Sequence, residues 1–268
     1  MKSQNRLILK NLELDDPVVP GVYTTTPLVA GNYRGAPPRD VPYLMDRLMT
    51  WLDEWLAPVR EPDVTPDVAF FHSFFAATLG HLYVAWIHPF GDGNGRTARM
   101  LECAILAHSD VLPWVSSNLL SDHYNRTRSR YYTRLRQASR DRDVSGFLAY
   151  SAEGFVDMLR EQIRTIQAMQ RRVAWVNYVH EMIRRDPAGD TQKRRRELVL
   201  AMPEGPTRKS ELRLLNPELA EMYAGKSDKT MTRDLNRLQD LELLRRQANA
   251  YLPAIDVMDA FIPISSPG

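Results

Sequence analysis

The stretch "TPDVAFFHSFFAATLGHLYVAWI", residues 65–87, constrains the fold more than any other part of the chain. It is long, mostly apolar and opened by a Thr-Pro pair, which reads as a helix that has to be central and buried. A buried helix must be covered by other elements, and the flanking sequence supplies helices to do it. "VPYLMDRLMTWLDEWL" places Leu44, Leu48, Trp51, Leu52 and Trp55 on one face at helical spacing. "TARMLECAILAH" reads as a further helix, and residues 121–140 and 144–183 give two or more others. Upstream, prolines at 17, 20, 27, 37, 38 and 42 interrupt helix formation. "GVYTTTPLVAGNY" alternates β-branched, aromatic and small residues there, which predicts a short hairpin bending near Pro27.

Near residues 184–196, "RRDPAGDTQKRRR", a Pro-Gly-Asp cluster breaks the helical pattern and the character of the chain changes. The following "TRKSELRLLNPELAEMYAGKSDKTMTRDLNRLQDLELLRR" reads as a short helix, a turn at Gly225, a second helix from Ser227 and a β-ribbon. That is the order of a helix-turn-helix with a wing. The expected organisation is mainly α, with a core over 1–190 and a winged helix-turn-helix domain over 191–268.

Composition narrows the classes. With 268 residues, 44% of them hydrophobic, the chain can bury a full core. A single cysteine, Cys103, leaves no disulfide framework and no cysteine-rich zinc site. No signal-peptide pattern and no 18-residue apolar span is found, so the expectation is a soluble, cytoplasmic protein without a membrane role. The net charge of +2 hides a skew: residues 1–120 carry −4, residues 121–196 carry +8 and residues 197–268 carry −2. The basic middle third suits an anionic ligand or, equally, a solvated arginine face.

The chemistry concentrates in "HPFGDGNGRTAR", residues 88–99. Gly91, Gly93 and Gly95 permit close backbone approach, so the loop can present its amides inward. Asn94 and Gly95 lie where the next helix begins, and free amides there favour an anion. Arg96 and Arg99, three apart, put two guanidiniums on one face of the first turn. Together they predict a polyphosphate cradle. Asp92 supplies a hard oxygen of the kind Mg²⁺ takes beside phosphate oxygens. His88, just ahead, has the ordinary titration range of a general base near neutral pH.

That stretch fits the H-P-F-x-D/E-G-N-G-R-x-x-R motif of the Fic family without a mismatch, and on it the chain is identified as resembling that family, whose members transfer AMP from ATP to protein hydroxyls. The resemblance extends to "GVYTTTPLVAG", similar to the family's flap hairpin (about 21–32), although Thr24 stands where an arginine is usual. "PPRDVPYLMDRLMTWL" and "GHLYVAWIHPF" resemble the helices that follow the flap and lead into the motif. "YYTRLRQAS" resembles the helix that closes over the adenine, with Ser139 where the family often has Asn. The tail is similar to that of many bacterial members.

The resemblance implies a division of labour. His88 would be the catalytic base and Asp92 the Mg²⁺ ligand. Gly91, Gly93, Asn94, Gly95, Arg96 and Arg99 would hold the ATP phosphates, and Tyr131, Tyr132 and Ser139 would lie at the base. Thr26, Pro27, Leu28 and Val29 of the flap would pin the target segment. The implied partner is a protein bearing a Ser, Thr or Tyr hydroxyl, or this chain itself, with Tyr23, Thr24 and Thr25 the nearest hydroxyls; the reading leaves a homodimer open. Many family members are held inactive by an S/T-x-x-x-E-G/N helix, and nothing upstream of the flap matches it. Control would then come from residues beyond this sequence, from another chain or by another mechanism. The alternative from another class is a DNA-binding regulator, in which Arg233 and Arg237 of the tail's second helix and Arg245 and Arg246 of the ribbon read DNA while the Fic-like part senses nucleotide. The negative net charge of the tail opposes it.

Overall fold

The computed structural model describes residues 1–30 and 33–260. It divides into two compact units, Met1–Glu161 and Gln162–Gly268. In the first unit, helix α1 (Lys2–Leu9) leads to a hairpin of strands β1 (Val29–Ala30) and β2 (Tyr33–Arg34), then to α2 (Val41–Leu56), α3 (Pro66–Ile87), α4 (Asn94–Ala107), α5 (Leu119–Arg126) and α6 (Arg128–Asp141). Helix α7 (Ser145–Ile183) starts in this unit and ends in the second.

Helix α3 sits at the centre because both of its faces are apolar. Phe74, Ala77 and Leu82 pack into a cluster with Leu106, Leu120, Tyr124, Phe147 and Phe155. Ala76, Val84 and Ile87 pack on the other side with Val41, Met45, Leu48 and Leu52 of α2 and Ala98 of α4. Thr65 caps the start of α3 by accepting from Val68 N–H at 3.5 Å, with Pro66 in the first turn where its missing N–H costs nothing. This helix corrects one expectation: over 18 of its residues the mean hydropathy is 1.4, long and apolar enough to span a bilayer by length and composition alone. Ser73, Thr78 and His81 interrupt the apolar run without adding charge, and in the fold they are buried polar groups of a core helix.

A chain of polar contacts crosses the first unit's larger core. His81 Nδ1 lies 3.2 Å from Glu102 Oε2, and His81 Nε2 lies 2.8 Å from the Tyr131 hydroxyl. The Tyr124 hydroxyl donates to Glu102 Oε1 at 2.9 Å and stands 3.0 Å from Ser151 Oγ. Five elements, α3 to α7, are thereby joined through side chains that are almost fully buried. Burial beside the Glu102 carboxylate pushes the Tyr124 phenol well above its ordinary range, so it stays a donor.

The second unit holds the C-terminal part of α7, then α8 (Asp190–Ala201), β3 (Thr207–Arg208), α9 (Lys209–Leu212), α10 (Pro217–Tyr223), α11 (Asp228–Asp240), β4 (Leu244–Gln247) and β5 (Ala250–Pro253). The three strands form an antiparallel sheet in the order β3-β5-β4, with Thr207 opposite Tyr251 and Leu244 opposite Pro253. Gly225 adopts φ +68° between α10 and α11, at the expected turn. The division between the units falls inside α7 and not at the Pro-Gly-Asp break near 190. The reason is that Trp175, Val179, Met182 and Ile183 of α7 are buried with Leu198, Leu219, Leu235 and Tyr251 in one core. Strand β3 and helix α1 are additions to the sequence reading.

Much of the basic run at 193–196 is spent inside this unit. Buried Asp234 accepts from Arg194 Nε and Arg195 Nε, each at 2.8 Å, and from the Tyr223 hydroxyl at 3.0 Å. Asp186 accepts from Arg195 Nη1 and Arg237 Nε, each at 2.7 Å. Burial alone would raise the Asp186 carboxyl, but the two guanidiniums outweigh it and hold it below the usual carboxylate range.

Glu102→Ala should destabilise the protein by about 3–5 kcal/mol, the scale for breaking a buried pair and orphaning its partners. Glu102→Gln, which keeps an acceptor for Tyr124 and a donor for His81, should lose distinctly less. Urea unfolding followed by circular dichroism decides; equal midpoints for the two variants would contradict the network.

Candidate active site

The motif loop lies between the end of α3 and the start of α4, and side chains fix its backbone. Asn94 is almost fully buried. Its Oδ1 accepts from Phe90 N–H at 2.8 Å and its Nδ2 donates to Phe90 O at 2.6 Å, closing the loop like a buckle. Thr97 Oγ1 donates to Gly93 O at 2.8 Å. Asn5 of α1, fully buried, donates through Nδ2 to Asp92 O at 3.0 Å and to Thr97 Oγ1 at 3.2 Å, while its Oδ1 accepts from Gly21 N–H at 2.8 Å. Three loop carbonyls are thus turned away from the space in front of α4. Gly93 makes the turn at φ +77°, where a side chain would be strained, and a Cβ there would press on Asn5 and Leu9 at 3.1 Å.

What this leaves facing out is the start of α4. Gly93 is its N-cap and offers no side chain, so among the described residues no side chain caps the amides of the first turn. Uncapped amides and the helix dipole favour an anion in that position. Arg96 stands on the same turn, with Nη2 2.9 Å from Asp92 Oδ2, while Asp92 Oδ1 accepts from Gly93 N–H. The carboxylate and the guanidinium are each about half exposed and hold one another. Such an exposed pair is worth only about 0–1 kcal/mol and yields readily to a better-charged ligand. Arg99 lines a cavity of about 410 Å³ with Asn118, Ser121, Asp122 and Asn125.

His88 ends α3 in the left-handed region, φ 54° and ψ 56°, its N–H donating to Val84 O at 3.0 Å. That conformation turns the ring away from the helix path. Nδ1 lies 3.3 Å from Ala85 O, so the tautomer that satisfies this carbonyl carries its proton on Nδ1 and leaves the Nε2 lone pair free. Burial pushes the imidazole below its ordinary range, only partly offset by the Ala85 bond and the Asp92 charge, and it is neutral at pH 7. Gly35 packs against it: a Cβ there would lie 2.9 Å from His88 Cβ.

The hairpin brackets the motif at both edges. Thr24 N–H donates to Pro89 O at 2.9 Å and Tyr23 bridges Phe90, while Ala36 N–H donates to Ile87 O at 3.1 Å. The two strands lie later than the bend at Pro27 would put them, at 29–30 and 33–34, and residues 31 and 32 of the expected flap lie outside the described residues. Thr26, Pro27 and Val29 are exposed and Leu28 half-buried, with Leu28 O accepting from Gly35 N–H at 3.1 Å. Tyr23 is half-buried, stacked obliquely on Phe90 with Lys2 Nζ 4.3 Å from its ring.

The sequence-stated site residues divide on this geometry. His88, Asp92, Gly93, Gly95, Arg96 and the Asn94 backbone come together at one helix mouth. The Asn94 side chain and the Gly93 amide are engaged within the loop. Gly91 packs on Val18. Of the residues read for the base, Tyr131 is buried with its hydroxyl on His81, whereas Tyr132 is exposed, the Arg128 guanidinium 5.9 Å from its ring. Ser139 lines a different cavity, with Tyr33 of β2. For a metal, Asp92 is the available carboxylate; among the described residues no three His, Cys, Asp or Glu side chains stand together. A single half-exposed carboxylate suits Mg²⁺, which keeps water and phosphate oxygens as its other ligands, and does not suit a cation needing an all-protein cage. Sequence reasoning missed Asn5 and Gly35, because neither contact leaves a local pattern.

Residues 3–106 match the model of the Fic/DOC family, so the chain carries a Fic/DOC family domain. Among curated proteins it is 32% identical over 134 residues to "Protein adenylyltransferase Fic" of Nematostella vectensis, covering 47% of this chain and 27% of that protein. It is 27% identical over 138 residues to the protein of the same name from Aedes aegypti, covering 52% of this chain and 24% of that one. The chain therefore spans about a quarter of the length of these relatives. A solved structure of a Fic family protein from Desulfovibrio desulfuricans G20 aligns at 20% identity with a TM-score of 0.45, over 94% of this chain and 66% of that one.

Two outcomes test the geometry. The His88 ring should titrate below pH 6.5 in a nitrogen-resolved NMR titration; a midpoint above that value would mean the ring is neither buried nor set as described. Asn5→Ala should lower unfolding free energy by about 1–3 kcal/mol, because Gly21 N–H and Asp92 C=O lose a buried partner. Hydrogen exchange at the Gly21 amide should accelerate at the same time, and unchanged exchange would remove Asn5 as the anchor.

Proposed function

We propose that the Fic/DOC family domain of this chain is a protein adenylyltransferase, moving AMP from ATP to a Ser, Thr or Tyr hydroxyl of a protein. The observation that carries this reading is the uncapped N-terminus of α4, flanked by Arg96, Asp92 and a His88 whose free nitrogen is Nε2. The names of the aligned relatives agree with it.

In this reading the amides of Asn94, Gly95 and Arg96 receive the α-phosphate and stabilise the charge that develops on it. The Arg96 guanidinium exchanges its weak hold on Asp92 for phosphate oxygens, and Arg99 takes the far end of the triphosphate. The freed Asp92 carboxylate would hold Mg²⁺, which supplies charge neutralisation to the phosphates when bound. His88 Nε2 accepts the proton of the target hydroxyl, whose oxygen bonds to the α-phosphorus as the bond to the β-bridging oxygen breaks. Pyrophosphate leaves. The catalytic contribution of the protein is positioning and electrostatics. The exposed edge at Thr26–Val29 holds the target by backbone pairing, which reads little side-chain identity. Tyr132 and Ser139 are the base-side contacts that stand open to a nucleotide; Tyr131 acts through the core.

The second unit is proposed as a winged helix-turn-helix, with α10 and α11 as the paired helices and β4–β5 as the wing. Its role in this reading is packing against a partner or a second copy, not DNA reading. Arg237 is held by Asp186 and Arg245 by Asp256, and residues 197–268, which contain the paired helices and the ribbon, carry −2 and not the net positive charge that dominates DNA affinity. Soluble, cytoplasmic action goes with this reading.

Incubating the purified chain with Mg²⁺ and ATP labelled at either the α- or the γ-phosphate separates the alternatives. Label should enter protein only from the α-position, with pyrophosphate released, and intact-mass spectrometry should show whole adenylyl additions on the chain itself. His88→Ala should lower the rate by about 10²–10⁴-fold, the usual worth of a general base, with little change in ATP affinity. Transfer of γ-label would instead make the enzyme a kinase, and a His88→Ala rate above a tenth of wild type would take the base role from His88.

A further inference from the structure

Helix α3 has a third face. The row Phe71, Phe75, Leu79 and Tyr83, one residue per turn, runs along a side that stays open, with Phe75 and Leu79 half-buried. Phe71 is 56% exposed, Val68 one turn before it 42% and Tyr83 37%, whereas a helix apolar all round is normally enclosed. Helix α2 lies alongside with its own row at the same spacing, Arg47, Trp51 and Trp55. The rings are held in place. Trp55 Nε1 donates to His72 O at 3.0 Å, and Trp55 O lies 2.9 Å from His72 Nδ1. Trp51 stacks on Trp55 with 5.7 Å between ring centres and meets Tyr83 edge-on at 6.1 Å. Phe71 stacks on Phe75 at 6.4 Å. Aromatic anchors fixed before contact lose little freedom on binding, and such anchors carry the centre of protein interfaces.

The two ends of this face differ in charge. Trp55 meets His72 and Trp51 meets Tyr83, so α2 and α3 run antiparallel, and the end of α2 lies with the start of α3. That end carries Glu54, Glu61, Asp63 and Asp67, all exposed and, among the described residues, none in an ion pair. Arg60, the cation there, is taken by Asp53 at 2.7 Å. At the other end Arg47 is exposed and equally unpaired, and its neighbour Asp46 projects about 100° away around the helix. We propose that this face is the interface of a homodimer, covered by a second copy of the chain about a two-fold axis lying across the helices. Helix α3 then runs antiparallel to its copy, and the acidic end of each chain meets Arg47 of the other. The parallel arrangement would set unpaired carboxylates against each other. A basic partner would satisfy the acids and leave Arg47 opposed; a copy of this chain answers both ends. The rows between the ends hold no charge, as the buried centre of an interface requires. Two helices side by side over the 16 residues of α2 make a face of about 24 by 20 Å. With its charged ends, that is of the order a dimer needs, about 800 Å² of accessible surface from each partner. No residue of this face belongs to the nucleotide site, so the inference stands apart from the adenylyltransferase reading.

Sedimentation equilibrium of the full chain, without nucleotide, tests this over about a hundredfold range of concentration. The wild type should show a reversible monomer–dimer equilibrium, reaching twice the chain mass at the upper end. Phe71→Asp, at an exposed position outside both cores, should raise the dissociation constant by at least about tenfold, and Arg47→Glu should raise it as well. Adding Asp63→Arg to Arg47→Glu should tighten association again, because the exchanged charges meet across the two-fold axis. Ile166→Asp, in an exposed apolar stripe of α7 in the second unit, should leave the constant unchanged. Circular dichroism of each variant separates loss of association from loss of fold. A wild-type chain that stays monomeric throughout would overturn the inference and leave the face to another protein. So would a dimer insensitive to both Phe71→Asp and Arg47→Glu, a dimer broken by Ile166→Asp instead, or a double variant no tighter than Arg47→Glu alone. Mass is read without any chemistry, so a failure of adenylyl transfer in the labelling assay leaves this result to stand by itself.

Discussion

Three carbonyls, those of Phe90, Asp92 and Gly93, decide how the loop between α3 and α4 faces. Each accepts from a buried side chain: Asn94, Asn5 and Thr97 respectively. With its carbonyls drawn back, the loop enters α4 with that helix's amides pointing outward and no side chain of its own to cap them. A helix end left that way satisfies its amides with water or with a ligand, and an anion gains most from it. The same bonds tie α1, the hairpin base at Gly21 and the first turn of α4 into one assembly, so the ligand position and the hairpin are set together.

The charges around this mouth are arranged to be exchanged. Asp92 and Arg96 hold each other at half exposure, which satisfies both without committing either. His88 differs: it is buried, left-handed in backbone and neutral at pH 7, and its orientation costs conformational strain that the packing of Gly35 and the Ala85 carbonyl maintain. In the proposed reading, a rigid base beside a displaceable ion pair suits group transfer, because the proton acceptor is in place before the charged ligand arrives.

Deeper in the molecule, polar groups are used for registration. The Glu102–His81–Tyr131 chain, with Tyr124 and Ser151, fixes α4 against α3 and α6, and Glu102 lies one turn along α4 from Arg99. Satisfied on every side, such a network specifies one arrangement of helices in a way that apolar packing alone does not. In the second unit, Asp234 and Asp186 do the equivalent for Arg194, Arg195 and Arg237. The basic middle of the chain is therefore two populations. The arginines near 194 are structural cement, and those at 136 and 140 face a cavity.

The sequence by itself determined the helical architecture, the central place of residues 66–87, the turn at Gly225 and the identity of the loop 88–99, since apolar period, glycine spacing and the order of charged residues are local properties. It determined the residue types of the site as well: His88, Asp92 and Arg96 are legible because their spacing along a loop and one helical turn forces them together, and Arg99 because it follows three residues later on the same helix. Tertiary structure decided the rest. That Asn94 faces inward, that Tyr131 is core while Tyr132 is open, and that Asn5 holds the loop depend on partners 4 to 92 residues away in sequence. Hydrogen bonds of that reach have no periodic signature. The extent of the second core had the same cause: Trp175 and Val179 continue a helix begun in the first unit, and only their burial against Leu198 and Leu235 assigns them to the second.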